Sequence, residues 1–138
     1  MGPFRDGWTH ENVLAVLAKD DPLEVLYAPI VVGMNAPDCG AAWAQGICQR
    51  LAEHPNTQVR ANAILGLSHI ARTCRALDLD LALPAVQRAL SDEQVSVQET
   101  ARDVIEDLKI FMRQSFKNHS LASALMASAR SSRAGDDA

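Results

Sequence analysis

The sequence predicts an all-α fold, a short right-handed solenoid of about three antiparallel helix pairs. Three observations lead there. Alanine and leucine dominate the 138 residues while aromatics make up 4%, a balance that favours helices over sheets. Apolar residues recur at spacings of four, four and three, which holds them on one face of a helix. That pattern is also repeated. Sliding the chain by 38 residues lays Val59, Ala63, Leu67 and Ile70 on Val97, Ala101, Ile105 and Leu108, and Gln49-Arg50 on Gln87-Arg88. A unit repeated in this way buries its apolar stripe against its neighbour, and an alanine in mid-stripe lets the neighbouring helix come close.

Each element has its own signals. Thr9 is the N-cap of a helix through Val13, Leu14, Val16 and Leu17. Asp20-Asp21-Pro22 caps and opens a second helix carrying Leu23, Val25, Leu26 and Ile30, which Pro29 kinks or ends early. Gly33, Asn35, Pro37 and Asp38 form a break before the next unit. Ala42 to Glu53 reads as a helix, His54-Pro55-Asn56-Thr57 as a tight turn, and the following helix runs to about Cys74. Asp78 or Asp80 precedes the last pair, with helices over Leu81–Leu90 and Val95–Met112 around a turn at Ser91-Asp92-Glu93. In this reading Pro84 sits in the first turn of its helix, where a missing N–H costs little.

The chain divides into a helical repeat domain over residues 1–112 and a Ser/Ala-rich tail over 113–138, partly helical or disordered. Leu121, Leu125 and Met126 can support a short helix capped by Asn118, and the final residues are expected to be mobile.

Charge narrows the partners. The net charge is -4, and it is unevenly spread, since residues 113–138 are net basic and the preceding body is acidic. An acidic body repels phosphate backbones, so the expected partner is a basic protein and not a nucleic acid. The longest apolar run, Val25 to Met34, holds Pro29 and Gly33 and is too short to cross a bilayer. The opening residues lack a basic segment followed by an apolar run. Cys39, Cys48 and Cys74 are odd in number and contain no Cys-x-x-Cys spacing, so the expected setting is a reducing cytoplasm.

The stretch Val59-Arg60-x2-Ala63-x3-Leu67-x2-Ile70 and its copy Val97-Gln98-x2-Ala101-x3-Ile105-x2-Leu108 resemble HEAT-type helical repeats, over about residues 39–112 and more loosely 9–34. The family's arginine after the valine is Arg60 in the first copy and Gln98 in the second. Its turn aspartate matches Asp92 and is replaced around Asn56. Leu23-Glu24-Val25-Leu26-Tyr27-Ala28-Pro29 and Asn62-Ala63-Ile64-Leu65-Gly66-Leu67 look like those of small stand-alone bacterial HEAT-like proteins, some of which are immunity proteins against delivered toxins. The resemblance implies a non-catalytic binding surface, either an immunity protein that neutralises a basic toxin domain or a scaffold or assembly factor. HEAT-like DNA-repair enzymes use a basic groove, which the acidic body disfavours.

The candidate partner-binding residues lie on the second helices of the pairs. Opposite the core stripe of the last helix stand Glu99, Asp103, Glu106 and Asp107. Like charges four apart weaken a helix slightly, so this face is either a solvated surface or a contact for a cationic protein. The matching face of the preceding helix carries Leu65, Ser68, His69 and Arg72. Leu65 is either packed against a neighbouring helix or an exposed interface anchor. No cofactor, metal site or catalytic residue is expected. His10, His54, His69 and His119 lack ligand spacing, Cys48 and Cys74 fall on apolar stripes, and neither G-x-S-x-G nor H-E-x-x-H occurs.

Overall fold

The computed structural model describes residues 7–137, with side chains to residue 131. The described residues form an all-helical fold without strands. The helices are α1 (His10–Lys19), α2 (Pro22–Val25), α3 (Ala28–Met34), α4 (Ala36–Cys39), α5 (Ala41–Leu51), α6 (Thr57–Cys74), α7 (Leu79–Leu90), α8 (Val95–Phe111), α9 (Arg113–Asn118) and α10 (Ala122–Asp137).

Several helix starts carry side-chain caps, among them Thr9 and Asp21 where the sequence places them. Thr9 Oγ1 accepts from the Asn12 N–H at 3.3 Å, and Asn12 Oδ1 accepts from the Thr9 N–H at 2.8 Å, a reciprocal cap that satisfies two otherwise orphan donors. Asp21 caps α2 by accepting the Leu23 N–H at 3.0 Å. Asn56 caps α6 through the N–H groups of Gln58 (2.9 Å) and Val59 (3.1 Å).

Three local expectations shift. Pro29 does end the preceding helix, and a new one, α3, begins around it with the proline in its first turn. Gly33 belongs to the interior of α3 and is buried, and Pro37 and Asp38 lie within the short helix α4, so the expected break narrows to the joint at Asn35. Asp78 caps α7 by accepting the Asp80 N–H at 3.0 Å, which starts the helix at Leu79 and leaves Pro84 inside it. Pro84 therefore removes the bond an ordinary residue would make to the Asp80 carbonyl.

The repeated stripe is the core. Val59, Ala63, Leu67 and Ile70 on α6 are all buried, and so are Val97, Ala101, Ile105 and Leu108 on α8. Helix α6 lies centrally, packed on α3, α5 and α8, while α7 packs on α8 and α3 on α5. Gly66 permits the tightest of these approaches. A Cβ there would stand 2.6 Å from Cys48 Sγ and 2.7 Å from the Pro29 carbonyl oxygen.

Two polar ties bind successive pairs. The side-chain amide of Gln45, buried on α5, donates to the Asp78 carbonyl and accepts the Asp78 N–H, both at 2.9 Å. Arg60 holds Asp92 in the α7–α8 turn with Nε to Oδ2 at 2.9 Å and Nη2 to Oδ1 at 3.0 Å. Its Nη1 also donates to the His54 and Pro55 carbonyls.

The buried core continues past residue 112. Phe116 on α9 and Ala122 and Leu125 on α10 are buried with the rest. Asn118 closes α9 instead of capping a helix, and His119 forms the joint to α10. Side chains after residue 131, on which the expectation of a mobile terminus falls, lie outside the described set.

Candidate functional site

Helices α6 and α8 lie side by side, so the two predicted residue sets become one surface. Their junction is a hydrogen bond. Ser68 Oγ, buried on α6, donates to Asp107 Oδ2 on α8 at 2.6 Å. Two of the predicted residues thus fasten the helices together, and Asp107 is half-buried as a result.

His69 sits one residue further on. It is half-buried, with its Cβ at the place where α3 crosses α6 by Gly33. Burial pushes its imidazole pKa below the usual range, the neighbouring Arg72 guanidinium adds to that, and Asp107 opposes it. Arg72 Nη2 donates to His69 Nδ1 at 3.3 Å, and Arg72 is otherwise exposed. Leu65 is half-buried, between the two alternatives its sequence position allows.

The outward row of α8 is the main exposed feature. Glu99, Asp103 and Glu106 are exposed, and Glu106 pairs with the partly exposed Lys109 at 3.2 Å. Arg102, which follows Ala101 of the core stripe, is buried. Two apolar residues that sequence reasoning left out end the same row: Val95, 55% exposed, and Ile110, 64% exposed. The spacing Val95, Glu99, Asp103, Glu106, Ile110 keeps all five on one face, over about 22 Å of helix. Ile110 was detectable, since it stands four after Glu106 and outside the core stripe.

Among the described residues no three His, Cys, Asp or Glu side chains converge as a metal site. Cys48 is fully buried, and burial pushes its thiol far above the usual range, which leaves it a poor nucleophile. His10 and His54 lie away from this surface. His10 stacks on Trp43 with ring centroids 3.6 Å apart, and its Nε2 meets the Cys39 carbonyl at 2.8 Å. His54 and Cys48 have separate partners: Asp20 for the ring and the Pro29 carbonyl for the thiol. Among the described residues no helix is long and apolar enough to cross a membrane.

Comparisons with protein-family models, with curated proteins and with solved structures return no match. The function therefore has to be argued from the surface itself.

Proposed function

We propose that this chain is a non-catalytic protein-binding module, built as a right-handed HEAT-like stack of about three helix pairs, that grips a basic protein through the joined faces of α6 and α8. The observation that carries this reading is the outward row of α8, where Glu99, Asp103 and Glu106 stand exposed between the exposed apolar ends Val95 and Ile110. Charged groups arranged in this way steer a cationic partner and set its register, and apolar groups beside them supply contact area. Ser68–Asp107 holds the two helices in register, so the row is presented on a rigid support.

The stacked architecture is supported by the eight buried stripe residues and by the Arg60–Asp92 pair, which joins one helix pair to the turn of the next. The biological role we propose is that of a bacterial immunity protein, acting in the cytoplasm, that covers the site of a basic toxin domain.

The test is affinity capture from lysate of the source cells, at low and at high salt, with mass spectrometry of what is retained. The wild type should hold a basic protein that salt releases, and the double variant Asp103→Lys, Glu106→Lys should not. The captured protein should arrest growth when expressed alone and be tolerated beside this chain. Retention that ignores both salt and charge reversal would remove the electrostatic basis, and a captured protein harmless on its own would remove the immunity role.

A further inference from the structure

Two histidines far apart in sequence have the same surroundings. His54 stands in the turn before α6. Its Nδ1 accepts the N–H of Asn56, two residues on, at 3.0 Å, and its Nε2 meets Asp20 Oδ1 at 2.7 Å. His119 stands between α9 and α10. Its Nδ1 accepts the N–H of Leu121, again two residues on, at 3.1 Å, and its Nε2 meets Asp80 Oδ1 at 2.8 Å.

This arrangement fixes the proton. A backbone N–H can only donate, so Nδ1 must carry its lone pair and the ring proton must sit on Nε2, donating to the carboxylate. A second proton could go only to Nδ1, where it would face the amide hydrogen. The gain on protonation would be an ion pair with Asp20 or Asp80, whose side chains are 56% and 90% exposed, so water screens it. The loss would be an internal hydrogen bond to rings only 10% and 15% exposed, which water replaces poorly. A proton on Nδ1 therefore breaks the bond from the backbone amide.

The location gives this consequence. Asp20 is the C-cap of α1, and His119 leads into α10 while Asp80 lies in the first turn of α7. We infer that His54 and His119 are a matched pair of proton-sensitive clasps, held as the neutral Nε2–H tautomer, that fasten the first and last helices to the middle of the fold. The other charged groups beside His54 are Arg60, which donates to its carbonyl, and its chain neighbour Glu53, while Asp21 follows its partner Asp20 in the chain. Beside His119 the nearest in the chain is Lys117 on α9. Both rings are thereby occupied at both nitrogens, so neither serves as a metal ligand or a general base.

Nitrogen-15 NMR of the ring resonances tests the tautomer, and amide hydrogen exchange tests the clasp. In the wild-type protein near neutral pH both rings should show a proton on Nε2 and none on Nδ1. Acidifying from about pH 8 to about pH 5 crosses the usual imidazole range. Once corrected for intrinsic exchange, protection of the Asn56 and Leu121 amides should then fall about tenfold, the equivalent of one net hydrogen bond. Asp80→Asn, which keeps an acceptor oxygen, should leave the acid response of Leu121 in place. A proton on Nδ1 at neutral pH, protection that stays constant as the rings titrate, or an acid response that disappears in Asp80→Asn would each overturn the inference.

Discussion

Arg60 on α6 clasps Asp92 in the α7–α8 turn through two parallel hydrogen bonds of 2.9 and 3.0 Å. The two side chains are mostly covered, and Asp92 Oδ1 also accepts the Gln94 N–H at 3.0 Å. The hydrogen bonds from Arg60 hold the Asp92 carboxyl below the usual carboxylate range, with the Gln94 amide adding to the effect. Asp92 is therefore charged in the fold at a pH where the unfolded chain begins to bind a proton. Its contribution is complete above the unfolded carboxylate range and is lost as pH falls through the folded value. Arg60→Ala should cost about 1–3 kcal/mol, between the figures for exposed and for buried pairs. Asp92→Asn should flatten the acid limb of the stability curve, and urea melts from neutral pH to about pH 3 measure both effects.

Glycines on neighbouring helices should respond in opposite ways. Gly66→Ala would drive a methyl group against Cys48 and the Pro29 carbonyl, and should destabilise by about 1–3 kcal/mol although alanine is the better helix former. Gly46 lies within α5 with nothing within 4 Å of a built Cβ. Gly46→Ala should stabilise by about 0.5–1 kcal/mol. Thermal melts of the two variants decide the sign at each site.

The acidic row should matter to a partner and not to the fold. Asp103 and Glu106 are exposed, and surface substitutions away from buried features stay within about 0.5 kcal/mol. Asp103→Lys and Glu106→Lys should melt like the wild type. Against a cationic partner they should slow association and flatten its salt dependence. A large loss of stability in either variant would place these carboxylates in the structure instead of the interface.

His69 makes the fold sensitive to mild acid. Burial and Arg72 lower its pKa, so the native state binds a proton less readily than the unfolded chain. Stability linked to His69 is complete above the unfolded imidazole range and is lost as pH falls below it, down to the lowered folded value. In His69→Gln that loss is absent. The stability difference between wild type and variant should therefore move against the wild type from about pH 7.5 to about pH 5. Parallel stability curves would contradict this.

The helices and their core faces were legible from sequence because capping and periodicity are local. Thr9 and the Val59 and Val97 stripes act within one or two turns of the chain, and the structure places them as read, while Asn56, read as part of a turn, caps α6. Local signals were weaker where two of them competed. Asp78 and Asp80 both qualified as the cap of α7, and the choice of Asp78 moved Pro84 from the first turn into the helix. Gly33 reads as a breaker in isolation, but its smallness is used for contact with α6. Arg102 stands among carboxylates in the chain, and only the fold shows that it is buried.

The sequence by itself determined an all-helical chain, its stripe of buried valines, alanines and leucines, and the eight polar and apolar positions opposite that stripe. Those follow from spacing along one helix. Only the tertiary structure decided how distant positions pair: Ser68 with Asp107, Arg60 with Asp92, His54 with Asp20 and His119 with Asp80. It also decided that Phe116 and Leu125 join the core and that Val95 and Ile110 face outward. Helical periodicity gives the direction of a side chain about its own axis. Which neighbour it meets depends on how the helices cross, and small residues such as Gly33 and Gly66 set that crossing.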